Sequence, residues 1–218
     1  MKHVLRPFAA AALALLAGCA ADNSPYGSGY GPKRSAAAPV RKVEISDDSF
    51  RCIRDMTPVR GFYVDNLLGN VADTLAAASK PDGGPWPVGS VIQRIPSEAM
   101  VKHGKGYSPA TNDWEFVVLN VRKRSTTIAE RGFTNVINEF GGNCLTCHSL
   151  AEPRWDMVCE QGHGCDNNMI PVAMARALQN TDPRCARVSL PPSQKAALQQ
   201  LEAMRDAVRG EPAIQTSR

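Results

Sequence analysis

The chain has 218 residues, of which 43% are hydrophobic and 21% are charged. These fractions are close to globular averages and exclude a disordered chain or a polytopic membrane protein. The formal net charge of +4 falls to +2 without Lys2 and Arg6 of the N-terminal segment, so composition gives no reason to expect a nucleic-acid partner. Seven cysteines, an odd number, carry most of the functional information.

Residues 1–18 have the build of a secretory signal peptide. Two basic residues precede the uncharged apolar run Phe8–Ala17, which is too short to span a bilayer. Residues 16–19 (LAGC) resemble the bacterial lipoprotein box, which implies cleavage before Cys19 and acylation of that cysteine. Because Ala20 rather than Asp follows, the resemblance favours the outer membrane, facing the periplasm. The alternative is an ordinary secretory signal. In both cases the mature chain lies outside the cytoplasm, where disulfides persist.

Residues 19–42 are predicted to be the lipid anchor and a flexible linker, since Gly, Ser, Pro and Ala dominate them and no apolar period is visible. The folded domain is predicted to span residues 43–218. Its class is α+β, an antiparallel β-sheet meander with flanking helices. The expected elements are a short strand within Val43–Ile53, a helix at Val71–Ser79 capped by Asn70, strands at Val88–Ile95, Trp114–Val121 and Ser125–Glu130, and helices at Pro171–Gln179 and Ser193–Val208.

Residues 144–148 read C-L-T-C-H, the attachment motif for c-type haem. Two thiols at this spacing can each add to one haem vinyl group, and His148 then supplies an imidazole nitrogen as an axial iron ligand. The sequence therefore predicts one covalently attached haem c held by Cys144, Cys147 and His148. The alternatives are a thiol–disulfide redox motif, which usually follows a βαβ pattern, and a zinc site completed by Cys159, His163 and Cys165.

The group on the far face of the iron decides between binding of a small ligand and simple electron transfer. Met204 is expected to pack in a helix core, His163 to lie in a glycine-flanked turn, and His103 to be exposed in a Lys-Gly-rich loop. The absence of a strong candidate favours an open or apolar distal face. The candidates are Met157, Met169, Met174, Met204, His103 and His163.

Beyond the pentapeptide, residues 60–185 resemble the cytochrome P-460 and cytochrome c′-beta superfamily. The resemblance rests on the order of four segments, with the haem motif late in the domain: 87–92 (PVGSVI), 114–118 (WEFVV), 142–148 (GNCLTCH) and 155–159 (WDMVC). It implies a sheet that wraps one haem face, a proximal histidine and often a homodimer. Some members bind nitric oxide or carbon monoxide in an apolar pocket lined by Phe, whereas others oxidise hydroxylamine and carry a lysine cross-linked to the haem.

By analogy with that family, Phe116 or Phe62 would line the distal face; the alternative is that both are ordinary core residues. No lysine matches the cross-linking position, because Lys102 and Lys105 are expected in a loop. The resemblance therefore implies ligand binding more directly than hydroxylamine oxidation.

Four cysteines remain once Cys19 and the haem pair are assigned. Cys159 and Cys165 enclose a five-residue turn and are expected to pair locally, which leaves Cys52 to pair with Cys185. The alternative is that some stay as free thiols.

Three functions follow from these observations. The first is a mono-haem c-type cytochrome that binds a diatomic ligand such as nitric oxide or performs redox chemistry on a small nitrogen compound. The second is a tethered electron carrier for a redox partner protein, with Met169 or His163 as the sixth ligand. The third is a non-haem envelope lipoprotein that serves as an interaction module. The sequence does not decide whether the protein is an enzyme.

Overall fold

The computed structural model describes residues 42–166 and 170–209, with side chains as far as residue 207. All of them belong to one compact unit, Pro39–Arg218. The predicted signal peptide, Cys19 and the predicted linker as far as residue 41 lie outside the described residues. In the described part of the chain, no helix is long and apolar enough to cross a membrane.

Six antiparallel strands form a single sheet in which each strand pairs with the next along the chain. This confirms the predicted α+β class with a strand meander and flanking helices. The strands are β1 (Thr57–Val59), β2 (Phe62–Asn66), β3 (Ser90–Gln93), β4 (Glu98–Lys102), β5 (Trp114–Arg122) and β6 (Ser125–Gly132).

Four α-helices accompany the sheet, and all the predicted helices are present within one residue of their expected bounds. Asn70 occupies the N-cap position of the first helix, but its side chain bonds Asp73 rather than a backbone N–H. The helices are α1 (Val71–Ala78), α2 (Cys144–His148), α3 (Val172–Asn180) and α4 (Pro192–Arg209).

The N-terminal part of the domain corrects one prediction. The expected strand within Val43–Ile53 is absent, and this stretch instead holds the 3₁₀ helix Asp47–Ser49 and the start of a second, Ile53–Asp55. Its apolar side chains pack on the sheet without joining it: Phe50 and Ile53 belong to the same buried cluster as Val101. Burial on one face, rather than strand pairing, accounts for their hydrophobicity.

Each face of the sheet packs against an apolar core, and successive residues of β5 point alternately into one core and the other. Phe116 belongs to one cluster with α1 and the haem-motif region, and Val117 belongs to the other with the N-terminal segment. A third, small core lies between α3 and α4, around Met174 and Leu201. Trp114 and Phe116 are almost fully buried, as the apolar sequence of this strand predicts.

Candidate haem-attachment site

The C-x-x-C-H motif folds as the short helix α2, so that Cys144, Cys147 and His148 fall at positions i, i+3 and i+4 on one face. Asn143 caps the helix: its side-chain oxygen accepts a hydrogen bond from the backbone N–H of Thr146 at 2.9 Å. Just before the helix, Ile137 and Asn143 form an isolated antiparallel backbone bridge, which closes residues 137–143 into a loop. All three motif side chains line the same cavity.

That cavity has an empty volume of about 950 Å³, counting its opening to solvent. Cofactor sites are concave and mostly apolar, with a few polar groups. One wall is the sheet, and the opposite rim is α2 with the segments that precede and follow it. Its apolar lining includes Phe62, Ile92, Met100, Phe116, Phe140 and Ile170.

His148 is positioned by a single backbone contact. Its Nδ1 atom lies 2.8 Å from the carbonyl oxygen of Met157. A carbonyl only accepts, so Nδ1 carries the proton and Nε2 keeps its lone pair. Burial lowers the pKa of His148, and the bond to Met157 opposes that change in part. A neutral imidazole with Nε2 available is the form that binds a metal.

Cys144 and Cys147 are free thiols in a protein whose other described cysteines are all paired. Burial raises the pKa of Cys144 to about 12, with a further contribution from the negative charge of Glu98, and it raises the pKa of Cys147 for the same reasons. Redox-active C-x-x-C pairs need the opposite, a lowered thiol pKa. The strand order before α2 is also antiparallel throughout, not βαβ. Both observations count against the thiol–disulfide alternative.

The two predicted disulfides are present, Cys52–Cys185 and Cys159–Cys165. The second one removes the thiols that the zinc alternative required. Within residues 42–166 and 170–209, no group of three or more His, Cys, Asp or Glu side chains is arranged to hold a metal ion. A haem iron needs only one such protein ligand besides the porphyrin, so this finding bears on zinc and not on haem.

Phe116 and Phe62, the two residues expected at the distal face, both line the cavity. Phe116 is 1% exposed, and its ring centroid lies 5.2 Å from that of His148. The structure therefore places Phe116 beside the candidate iron ligand, on the cavity wall formed by β5.

None of the described candidates for the sixth ligand lines this cavity, and Met169 lies outside the described residues. His103 is not exposed as predicted: it is 3% exposed, and its Nε2 lies 2.7 Å from a carboxylate oxygen of Glu115. Met204 is not in the core as predicted, since it is 45% exposed. The expectation failed because the buried face of α4 is narrow and ends near Leu201.

His163 lies in a glycine-flanked turn, as predicted. Its ring stacks on Trp155 at 3.8 Å, and its Nδ1 atom lies 2.7 Å from the carbonyl oxygen of Val158. Met157 and Met174 are both buried, the first in the core beneath the sheet and the second between α3 and α4.

Sequence reasoning missed three polar groups in the cavity lining: Arg94, Glu98 and Asn138. Glu98 Oε1 and Arg94 Nε have no hydrogen-bond partner among the described residues. Burial raises the pKa of Glu98 to about 7, and burial lowers the pKa of Arg94. The signal available was the alternation of β4, which puts Glu98 on the same face of the sheet as Met100, whereas Ala99 and Val101 belong to the other buried cluster.

Lys102 also differs from its prediction. It ends β4 rather than lying in a loop, and its ammonium group lies 2.6 Å from Asp156 Oδ2, with both side chains 9% exposed. It does not line the cavity. Lys105, the other lysine considered for a cross-link, is exposed in the turn after β4.

A scan against protein-family models, a search of curated proteins and a search of solved structures found no match to this chain.

Proposed function

We propose that this protein is a mono-haem c-type cytochrome that binds a small diatomic ligand such as nitric oxide, or performs redox chemistry on a small nitrogen compound. The observation that supports the proposal most is the convergence of Cys144, Cys147 and His148 on one mostly apolar cavity. The likeness to the cytochrome P-460 and cytochrome c′-beta superfamily is part of the proposal. It is consistent with an antiparallel sheet that precedes the haem motif.

The residues present fit a haem. Cys144 and Cys147 would hold it through two thioether bonds, and His148 would ligate its iron through Nε2. When bound, a haem supplies a redox-active iron and a position for a small ligand. The chain's own part is to exclude bulk water with an apolar lining and to orient His148 through the Met157 carbonyl. Glu98 Oε1, which has no partner among the described residues, is able to accept or return a proton inside that lining.

An accessible distal face is supported by the composition of the lining. Among the described residues, His148 is the only histidine on the cavity wall, and Met100 is the only thioether. The candidates His103 and His163 are buried elsewhere, each with a nitrogen bonded to another group. A small ligand therefore meets few competing groups at the iron.

Absorption spectra of both redox states, with and without carbon monoxide or nitric oxide, test this function. We expect the ferrous spectrum to change on addition of either gas. A low-spin, six-coordinate ferrous spectrum that neither gas alters would contradict the proposal.

An electron-transfer cytochrome is the second candidate, and two observations favour it. Ile170, the residue after Met169, lines the cavity, and Met100 lines it directly. Either thioether would give a six-coordinate iron suited to exchange electrons with a partner protein. Replacement of Met169 or Met100 by alanine should then abolish the low-spin spectrum, whereas Met204→Ala, at an exposed position, should not. If neither Met169→Ala nor Met100→Ala alters the spectrum, this ligation fails.

We also propose that the chain is tethered to the outer membrane, facing the periplasm, by acylation of Cys19. The lipoprotein-like residues 16–19 support this placement. Intact mass spectrometry should find covalent lipid on the unmodified chain and none on a Cys19→Ser variant. If the unmodified chain carries no lipid on Cys19, the lipid anchor is wrong.

A further inference from the structure

Asp156 and Met157 form a turn in a conformation that side-chain-bearing residues rarely adopt. Both have positive φ angles, 50° for Asp156 and 65° for Met157. Two such residues in succession persist only where the surrounding structure holds them. The turn follows the 3₁₀ helix Pro153–Trp155, and it leads directly to Val158, which lines the same cavity as His148.

The ends of β4 and β5 hold this turn. Lys102 Nζ donates to Asp156 Oδ2 at 2.6 Å, and the backbone N–H of Trp86 donates to the same oxygen at 3.0 Å. Trp114 Nε1 donates to the Asp156 carbonyl oxygen at 2.8 Å. Lys102 and Trp114 are themselves cross-strand partners, and the ammonium group lies 5.0 Å from the centre of the indole ring.

These contacts are buried and leave little freedom. The side chains of Lys102 and Asp156 are each 9% exposed, and Trp114 is fully buried. Lys102 Nζ donates a second bond to the carbonyl oxygen of Asn112 at 2.6 Å, so its position does not depend on Asp156 alone. A buried, multiply bonded group of this kind fixes the backbone to which it is attached.

This fixed stretch of backbone includes the Met157 carbonyl group, whose oxygen is the acceptor that orients His148, the candidate iron ligand. The Met157 carbonyl oxygen, one residue beyond Asp156, lies 2.8 Å from His148 Nδ1. The contacts that fix Asp156 therefore also fix the next carbonyl oxygen along the chain, to which the His148 imidazole is hydrogen-bonded. Groups that bond the outer nitrogen of a ligating histidine set its orientation and raise its basicity.

We propose that Asp156 is a positioning residue for His148, and that Lys102 and Trp114 act through it to set the strength of the His148–Met157 hydrogen bond. This inference rests on the proposed haem function. A more basic histidine stabilises ferric over ferrous iron, so the network holds the midpoint potential lower than it would be without it.

The test uses the haem-loaded full chain and the variant Asp156→Asn. Asparagine tolerates a positive φ, so the variant removes the charge and keeps the shape. We expect the iron–histidine stretching frequency of the ferrous form to fall and the midpoint potential to rise, at unchanged covalent haem content. If the ferrous iron proves six-coordinate, the potential alone decides.

Asp182→Asn is the matched control. Asp182 is another buried carboxylate that pairs with an arginine, Arg184, and accepts a backbone N–H, from Ile53 at 2.9 Å. It does not line the cavity. Its variant should lose stability but leave the stretching frequency and the potential unchanged.

Trp114→Phe is a second test that leaves the buried charges paired, keeps an aromatic ring beneath the Lys102 ammonium group and removes the donor to the Asp156 carbonyl oxygen. It should shift both readouts in the same direction as Asp156→Asn, by a smaller amount. It decides the question if Asp156→Asn does not accumulate. Readouts identical to those of the unmodified chain, with full haem content, would overturn the positioning role alone. An unmodified chain that carries no covalent haem would instead overturn the proposed function.

Discussion

The ring of Phe116 lies 5.2 Å from the imidazole of His148, with the two planes tilted by 38°. Phe116 is also the cross-strand partner of Met100, so this contact joins the β4–β5 pair to the motif helix. The sheet thus forms the wall against which the candidate iron ligand rests.

Replacement of both motif cysteines by alanine tests the attachment. In Cys144→Ala/Cys147→Ala we expect all haem to separate from the polypeptide in denaturant, because no thioether bond remains. Intact mass spectrometry measures this directly. The paired variant Cys159→Ala/Cys165→Ala serves as the control, since those thiols are already in a disulfide. Haem that stayed bound to the first variant in denaturant would show that the attachment lies elsewhere.

Because Glu98 is buried, we predict that the free energy of unfolding depends on pH. Its pKa is raised from 4.5 to about 7 by burial and, secondarily, by the charge of Glu139. A raised carboxyl pKa means that the folded state binds the proton more tightly. The contribution of Glu98 is therefore complete below about pH 4.5 and is lost as the pH rises to about 7 and above. The full loss is on the order of 3 kcal/mol.

The variant Glu98→Gln removes this titration. Between pH 5 and pH 8, its free energy of unfolding in urea should fall by about 2 kcal/mol less than that of the unmodified chain. Glu202→Gln, at an exposed position of α4, should behave as the unmodified chain does. An identical pH dependence in Glu98→Gln and the unmodified chain would mean that Glu98 is ionised in the folded protein throughout this range.

The two disulfides should differ in their effect on stability. Cys52–Cys185 closes a loop with a sequence separation of 133, and Cys159–Cys165 one of 6. Loop-closure entropy assigns about 5 kcal/mol to the first and about 2 kcal/mol to the second. Thermal unfolding of the two double Cys→Ala variants measures the difference. Equal losses of stability in the two variants would show that native contacts which remain without the Cys52–Cys185 bond compensate for its removal.

We predict that position 83 requires glycine for two reasons, the close packing around it and its positive φ angle. Its φ is +74°, and a Cβ atom there would lie 2.2 Å from the carbonyl oxygen of Arg154. Gly106 has a φ of +89° but nothing within 4 Å. Gly106→Ala should therefore lower the free energy of unfolding by about 1–2 kcal/mol, the cost of a left-handed conformation for alanine. Gly83→Ala should lower it clearly more, because the clash adds to that cost. Similar losses in urea unfolding would contradict this assignment.

The sequence predicted the sheet's longest strands and three of the four described α-helices, because their patterns are local, whereas α2 was recognised as a motif and not as a helix. Trp114–Arg122 is apolar on both faces, and α4 begins at the second of two consecutive prolines. The strands that were missed are short. Thr57–Val59 has only three residues, and Glu98–Lys102 carries a charge at each end. Their strand character comes from pairing with neighbours, which a local pattern does not contain.

At the candidate site, the motif residues were predictable because their spacing carries the chemistry. The surroundings of His103 were not, because its burial depends on Glu115 from the next strand and on Tyr107, whose ring stacks on it at 4.0 Å. Lys102 and Asp156 are 54 positions apart in sequence. A buried ion pair of this kind forms only when the fold brings distant residues together, and composition gives no sign of it.

Pyridine haemochrome analysis of the unmodified chain, produced with a c-type maturation system, tests the central claim most directly. The account predicts one covalently bound haem per chain, with a spectrum characteristic of two thioether bonds. A chain that carries no covalent haem and whose Cys144 and Cys147 are freely alkylated would contradict it.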